Sequence, residues 1–159
     1  MRYAGIIKND LAAAPGVSLT FFTQGCSRHC SGCHNPQTWD FCGGKEFTQD
    51  VLDSIIENLY ANGIKRTFCV MGGEPLENEN LFLTDLVISN VKQALPDVEI
   101  YLWTGYTYEI LQHRFNEPRL KSILDKINVL VDGEYKEELR DITKPMIGST
   151  NQRILTLNK

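Results

Sequence analysis

Three of the chain's five cysteines, Cys26, Cys30 and Cys33, fall in one short run, Cys26-Ser27-Arg28-His29-Cys30-Ser31-Gly32-Cys33. Thiols spaced CxxxCxxC can be turned by a single loop toward one metal centre. Structural zinc sites take four protein ligands, often from two CxxC knuckles; here the fourth would have to be Cys42, His29 or His34, and no second knuckle exists. A [4Fe–4S] cluster prefers a thiolate at each iron. Three cysteines would leave one iron open to a small chelating molecule. Spacing alone does not separate that case from an electron-transfer cluster completed by Cys42. His29 lies between ligands and is read as exposed. His34 adjoins the last ligand, where a hydrogen bond could tune a cluster. Cys42 reads as a spare thiol, and Cys69 as a buried small hydrophobe.

A second motif, Gly72-Gly73-Glu74-Pro75, follows an apolar run. Two glycines allow a ligand close to the backbone, the Glu74 carboxylate can accept a charge-assisted hydrogen bond from an ammonium group, and Pro75 stiffens the turn. Taken alone, this is also the sequence of an ordinary glycine turn. Thr104 in Thr104-Gly105 and Asp132 in Asp132-Gly133 admit two readings, ligand contact or turn chemistry. Asn35 and Trp39 pack around the cysteine loop. Asn151 and Gln152 are either partner surface or polar turn, and Glu134, Glu137 and Glu138 read as a solvated acidic face.

The elements that must position these groups follow from periodicity. Residues 3–7, 17–23, 67–71, 98–104, 128–131 and 153–157 read as strands, several rich in β-branched and aromatic residues. Thr48 is the expected N-cap of a helix carrying Val51, Leu52, Ile55, Ile56 and Leu59, stopped at Asn62-Gly63. Further helices are expected over 81–95, 108–115 and 119–127, the first closed by Pro96. Strands alternating with helices imply parallel βαβ units. The expected fold is α/β: a single domain over residues 1–159, an open partial (βα) barrel with mostly parallel strands. A complete (β/α)8 barrel needs about 250 residues. The cysteine loop, Gly72-Gly73-Glu74, Thr104 and Asp132 would then all lie at the C-terminal edge of the strands, where parallel folds collect ligands.

Sixteen basic residues against twenty acidic ones give a net charge of −4. That speaks against nucleic acid or an anionic membrane as partner, since both reward a positive patch. No apolar stretch is long enough to span a bilayer. An odd number of cysteines, and a start without the features of a secretory signal, point to the cytoplasm.

The pairing of CxxxCxxC with Gly72-Gly73-Glu74-Pro75 resembles the radical S-adenosylmethionine (SAM) superfamily. Within it, Gln24-Gly25-Cys26 through Cys33-His34-Asn35-Pro36-Gln37-Thr38-Trp39 resembles the glycyl-radical enzyme activases. Tyr101-Leu102-Trp103-Thr104-Gly105-Tyr106, Asn128-Val129-Leu130-Val131-Asp132-Gly133 and Gly148-Ser149-Thr150-Asn151-Gln152-Arg153 are similar to the small activases of anaerobic ribonucleoside-triphosphate reductase. The likeness covers nearly the whole chain, which is shorter than the larger radical SAM enzymes. Gly32 stands where many members carry an aromatic residue, and Ile147 where a more polar one is expected.

The resemblance implies that Cys26, Cys30 and Cys33 hold a [4Fe–4S] cluster whose open iron is chelated by SAM. It implies SAM contacts from Gly72, Gly73 and Glu74; Thr104 and Asp132, from their place at strand ends, are further candidates for contact with SAM or a bound cation, and His34 for tuning the cluster. A flavodoxin-like donor would reduce the cluster, SAM would be cleaved, and the 5′-deoxyadenosyl radical would take a hydrogen from a glycine near the C-terminus of the reductase. The alternatives are activation of another glycyl-radical enzyme of the pyruvate formate-lyase type, a radical SAM enzyme acting on a small molecule, and a non-enzymatic iron–sulfur carrier.

Overall fold

The computed structural model describes residues 1–159 as a mixed α/β structure around one seven-stranded sheet. The strands are β1 (Arg2–Asp10), β2 (Ser18–Thr23), β3 (Lys45–Glu46), β4 (Thr67–Gly72), β5 (Ile100–Trp103), β6 (Val129–Asp132) and β7 (Arg153–Thr156). The helices are α1 (Gln49–Leu59), α2 (Asn78–Ala94), α3 (Tyr108–Gln112) and α4 (Pro118–Lys126). Strand order is β3-β1-β2-β4-β5-β6-β7.

The middle of the sheet, β2-β4-β5-β6, is parallel as the alternation of strands and helices predicts. The edges are not. β1 runs antiparallel to both β2 and β3, and β7 antiparallel to β6. The expectation of mostly parallel strands therefore holds only for the centre. A parallel connection needs a crossover of a dozen or more residues, usually helical. The loop 11–17 is too short for one, and the β6–β7 excursion contains only a single 3-10 turn at Glu137–Leu139. β3 has two residues and no alternation to reveal it. The helix expected over 108–115 stops at Gln112, whereas α2 begins at Asn78, ahead of its first apolar residue. Thr48 caps α1, its side chain accepting from the amide of Val51.

The two faces of the sheet are unlike. Leu19, Phe21, Phe68, Val70, Ile100, Leu102 and Leu130 alternate onto one face and pack with residues of α1, α2 and α4 in the main core. Parallel strands are normally covered on both sides. On the opposite face the only buried apolar companions of Cys69 are Ala13 and Ala14, flanked by Met71, Tyr101, Trp103 and Met146. No helix lies in that second cluster; its cover is the loop 11–17 and the β6–β7 excursion.

Candidate functional site

Above the thinly covered face, at the C-terminal ends of the parallel strands, lies a cavity of about 720 Å³. All three clustered cysteines line it, together with Gly72, Gly73, Glu74, Thr104 and His34. These are two sequence-distant motifs in one space. Asp132 does not line it, although the neighbouring Gly133 does.

The cysteine loop is closed on itself by backbone. The amide of Gly25 donates to Thr38 O at 2.7 Å and that of Cys26 to Trp39 O at 3.1 Å. Inside the loop the buried Gln24 side chain donates to Asp40 O at 2.7 Å and Gln37 O at 3.2 Å. His29 is exposed, as expected, and stacks on Trp39 at 4.3 Å between ring centroids. Gly32 has a φ of +75° in the turn closed by Cys33 N donating to Cys30 O. The carboxylate of Glu137 occupies the space its Cβ would need.

This donor set fits an iron–sulfur cluster. All five thiols are free. The amide of Asn35 donates to Cys33 Sγ at 3.4 Å, and the nearby backbone of Arg28 and His29 favours the charged form of Cys26. Backbone donors of this kind stabilise ligating sulfur. Burial opposes them, so the free Cys26 thiol stays above its ordinary pKa. Burial, together with the Glu134 carboxylate at 3.5 Å, pushes Cys30 up to about 11. No three His, Cys, Asp or Glu side chains are grouped as a single metal ion would require.

Glu74 is 2% exposed and its carboxylate is held by the chain itself. Oε1 accepts from Thr104 Oγ1 at 2.7 Å and the Leu76 amide at 3.0 Å; Oε2 accepts from the Gly105 amide at 2.7 Å. The side chain thus ties the end of β4 to the end of β5. Burial raises its pKa above the usual carboxylate range, and these hydrogen bonds and Arg28 offset only part of that. The two glycines serve equally close contacts. A Cβ on Gly72 would lie 2.6 Å from Thr23 backbone atoms, and one on Gly73 would lie 2.4 Å from Gly25 O.

Asp132 is fully buried and faces Arg153, which donates to both of its oxygens, while the Tyr108 amide donates at 2.8 Å. Arg153 also reaches Glu109 at 2.7 Å. Arg153→Met leaves a buried carboxylate with one donor and is expected to destabilise the protein by about 2 kcal/mol. Urea unfolding measures this; an unchanged midpoint would contradict the role.

Asn151 and Gln152 form hydrogen bonds that hold a polar turn together. Gln152 Oε1 accepts from the amides of Gly148 and Ser149, and its Nε2 donates to Gly133 O. Asn151 Nδ2 donates to Glu134 O at 2.8 Å. Both shape the β6–β7 excursion, which folds over the cysteine loop. It brings Tyr135 within 5.3 Å of His34, and Glu134 to Cys30. Glu134 is therefore part of the site rather than only a solvated acid. Arg28 was missed as well: it lies between Glu74 and Glu134 at 3.7 and 3.9 Å. A lone cation between two of the clustered cysteines was the available signal. Ser27 next to it is anchored to Glu77 through amide and hydroxyl.

Comparison with known proteins agrees with this geometry. Residues 12–155 match the family model described as a 4Fe-4S single cluster domain. The chain is 36% identical over 155 residues to the anaerobic ribonucleoside-triphosphate reductase-activating protein of Vibrio cholerae, covering 97% of each. It is 34% identical over 153 residues to the Escherichia coli K12 protein of that name, covering 96% of each. It is 32% identical over 157 residues to that of phage T4, covering 97% of this chain and 93% of that one.

Proposed function

Since this chain belongs to the family of anaerobic ribonucleoside-triphosphate reductase-activating proteins, built on a 4Fe-4S single cluster domain, we propose that it activates such a reductase by radical SAM chemistry. The observation that carries this reading is the shared cavity. CxxxCxxC and Gly72-Gly73-Glu74 come from different strand ends and line the same space. Cys26, Cys30 and Cys33 would hold a [4Fe–4S] cluster with one iron left for SAM. When bound, cluster and SAM together supply an electron and a carbon radical able to remove the Cα hydrogen of a glycine.

The chain's own contribution is position and enclosure. Gly25 O, one residue before the first ligand, accepts from the Glu74 amide at 2.9 Å and from Asn80 Nδ2 at 3.0 Å. Cluster loop and glycine turn therefore keep a fixed separation. Met71, Trp103 and Met146 present apolar wall to the cavity, which limits water and stray hydrogen donors. Trp103 is held by its Nε1 donating to Met146 O at 2.8 Å.

We read the sheet as a shortened partial barrel. Its cavity is rimmed by loops at residues 12–13 and 142–148. That supports a protein substrate, whose glycine-bearing C-terminal loop enters from the rim, over a small molecule that would need enclosure. A flavodoxin-like protein in the cytoplasm is the electron donor we expect.

The test is anaerobic reconstitution with iron and sulfide, reduction, and addition of SAM. The expected product is 5′-deoxyadenosine, and with anaerobic reductase present an organic radical in its paramagnetic resonance spectrum. A fully loaded cluster that leaves SAM intact would sink the radical SAM reading. Cleavage without a radical on the reductase would sink only the choice of partner.

A further inference from the structure

Arg28 projects into the cavity from between the first two cysteines of the loop. Its Nε is buried with no hydrogen-bond partner. Two carboxylate oxygens lie near the guanidinium but beyond hydrogen-bond reach, Glu74 Oε2 at 3.7 Å from Nε and Glu134 Oε2 at 3.9 Å from Nη1. Glu74 is not free to come closer, because Thr104, Gly105 and Leu76 already hold its oxygens at 2.7–3.0 Å.

The rest of the side chain is firmly placed. The guanidinium carbon lies 4.2 Å from the centroid of the Tyr106 ring, an arrangement that favours a cation. The side chain also crosses the bare face of Gly105 so closely that a Cβ there would lie 2.6 Å from Arg28 Cδ and 2.7 Å from Nε. A planar fork of N–H donors is thus held beside three thiols, while its buried donor finds no acceptor on the chain. Leaving such a group unpaired is costly, and guanidinium geometry matches a carboxylate through two parallel hydrogen bonds.

We propose that Arg28 binds the carboxylate of SAM, the amino-acid end of the cofactor. This rests on the SAM reading above. Neither the spacing of the cysteines nor the glycine turn identifies the residue; the missing partner at Nε does.

The test is a cycle between one side chain and one ligand group. Cluster-loaded wild type, Arg28→Met and Arg28→Lys are titrated with SAM and with decarboxylated SAM, and dissociation constants are read by calorimetry on the oxidised cluster. Iron content and circular dichroism establish that each variant is folded and loaded. Wild type should prefer SAM. Arg28→Met should weaken SAM binding at least about tenfold and decarboxylated SAM little, so that the preference falls by the same factor. Arg28→Lys should be intermediate, since it keeps the charge and loses the fork. An Arg28→Met protein with normal iron content and an unchanged preference would overturn the assignment. Wild type that binds neither compound would overturn the SAM reading itself, a different failure.

Discussion

Cys30→Ala is expected to reduce SAM cleavage to background and to lower iron retention, while Cys42→Ala keeps both near wild type. The two thiols differ in place rather than in chemistry. Cys30 lines the cavity, half-buried, in the turn that also sets Cys33. Cys42 is exposed and outside the cavity, its amide donating to the Asp40 side chain in a local turn. Loss of a ligand should exceed the roughly 10–100-fold effect of removing an outer partner. Neither substitution empties a large apolar space, so both proteins should fold, and the comparison is between two loaded or unloaded folded proteins. Iron content and 5′-deoxyadenosine yield measure the outcome. Activity retained in Cys30→Ala and lost in Cys42→Ala would mean a cluster with another ligand set, of the electron-transfer kind.

The different placement of these cysteines was legible in the sequence because the spacing is local: CxxxCxxC fits within one loop, and Cys42 lies outside it. The central strands were legible for a related reason. Phe68 and Val70, or Ile100 and Leu102, alternate with Cys69, Met71, Tyr101 and Trp103 at period two. What pairs at the sheet edges was not, because direction depends on what joins the strands. The β6–β7 excursion has no periodicity, only Asn151 and Gln152, whose side-chain amides donate back to Glu134 O and Gly133 O, with Gln152 Oε1 also accepting from the Gly148 amide.

The site divides in the same way. Gly72, Gly73 and Glu74 were identifiable as a motif, but the contacts they make are not encoded nearby. Glu74 meets Thr104 and Gly105, thirty residues on, and Gly73 meets Gly25. Glu134 reads as a solvated acid until the excursion is folded over Cys30. Arg28 has the same property, since its significance comes from an unpartnered Nε that only the folded chain reveals.

Gly73→Ala should disrupt the site through space alone, and Gly5→Ala is its control. Neither glycine has a positive φ, so backbone strain does not distinguish them. Space does. An added Cβ at Gly5 meets nothing within 4 Å, and alanine in a strand is favoured over glycine by about 0.5–1 kcal/mol. At Gly73 the Cβ would lie 2.4 Å from Gly25 O, 2.9 Å from its C and 3.0 Å from its N. These are backbone atoms, so no rotamer change relieves the clash. Gly25 O is also where the Glu74 amide and Asn80 converge, and Cys26 follows directly.

Relief must therefore open the contact between glycine turn and cluster loop. We expect a loss of about 1–3 kcal/mol, with weaker cluster retention and weaker SAM binding alongside it. The joint loss matters, because a purely structural clash would lower stability without touching the cofactor. Urea unfolding of the cluster-free protein, iron release to a chelator and SAM titration separate the two effects. If Gly73→Ala loses stability but keeps iron and SAM like Gly5→Ala, the spacing between loop and turn is not what positions the cofactor.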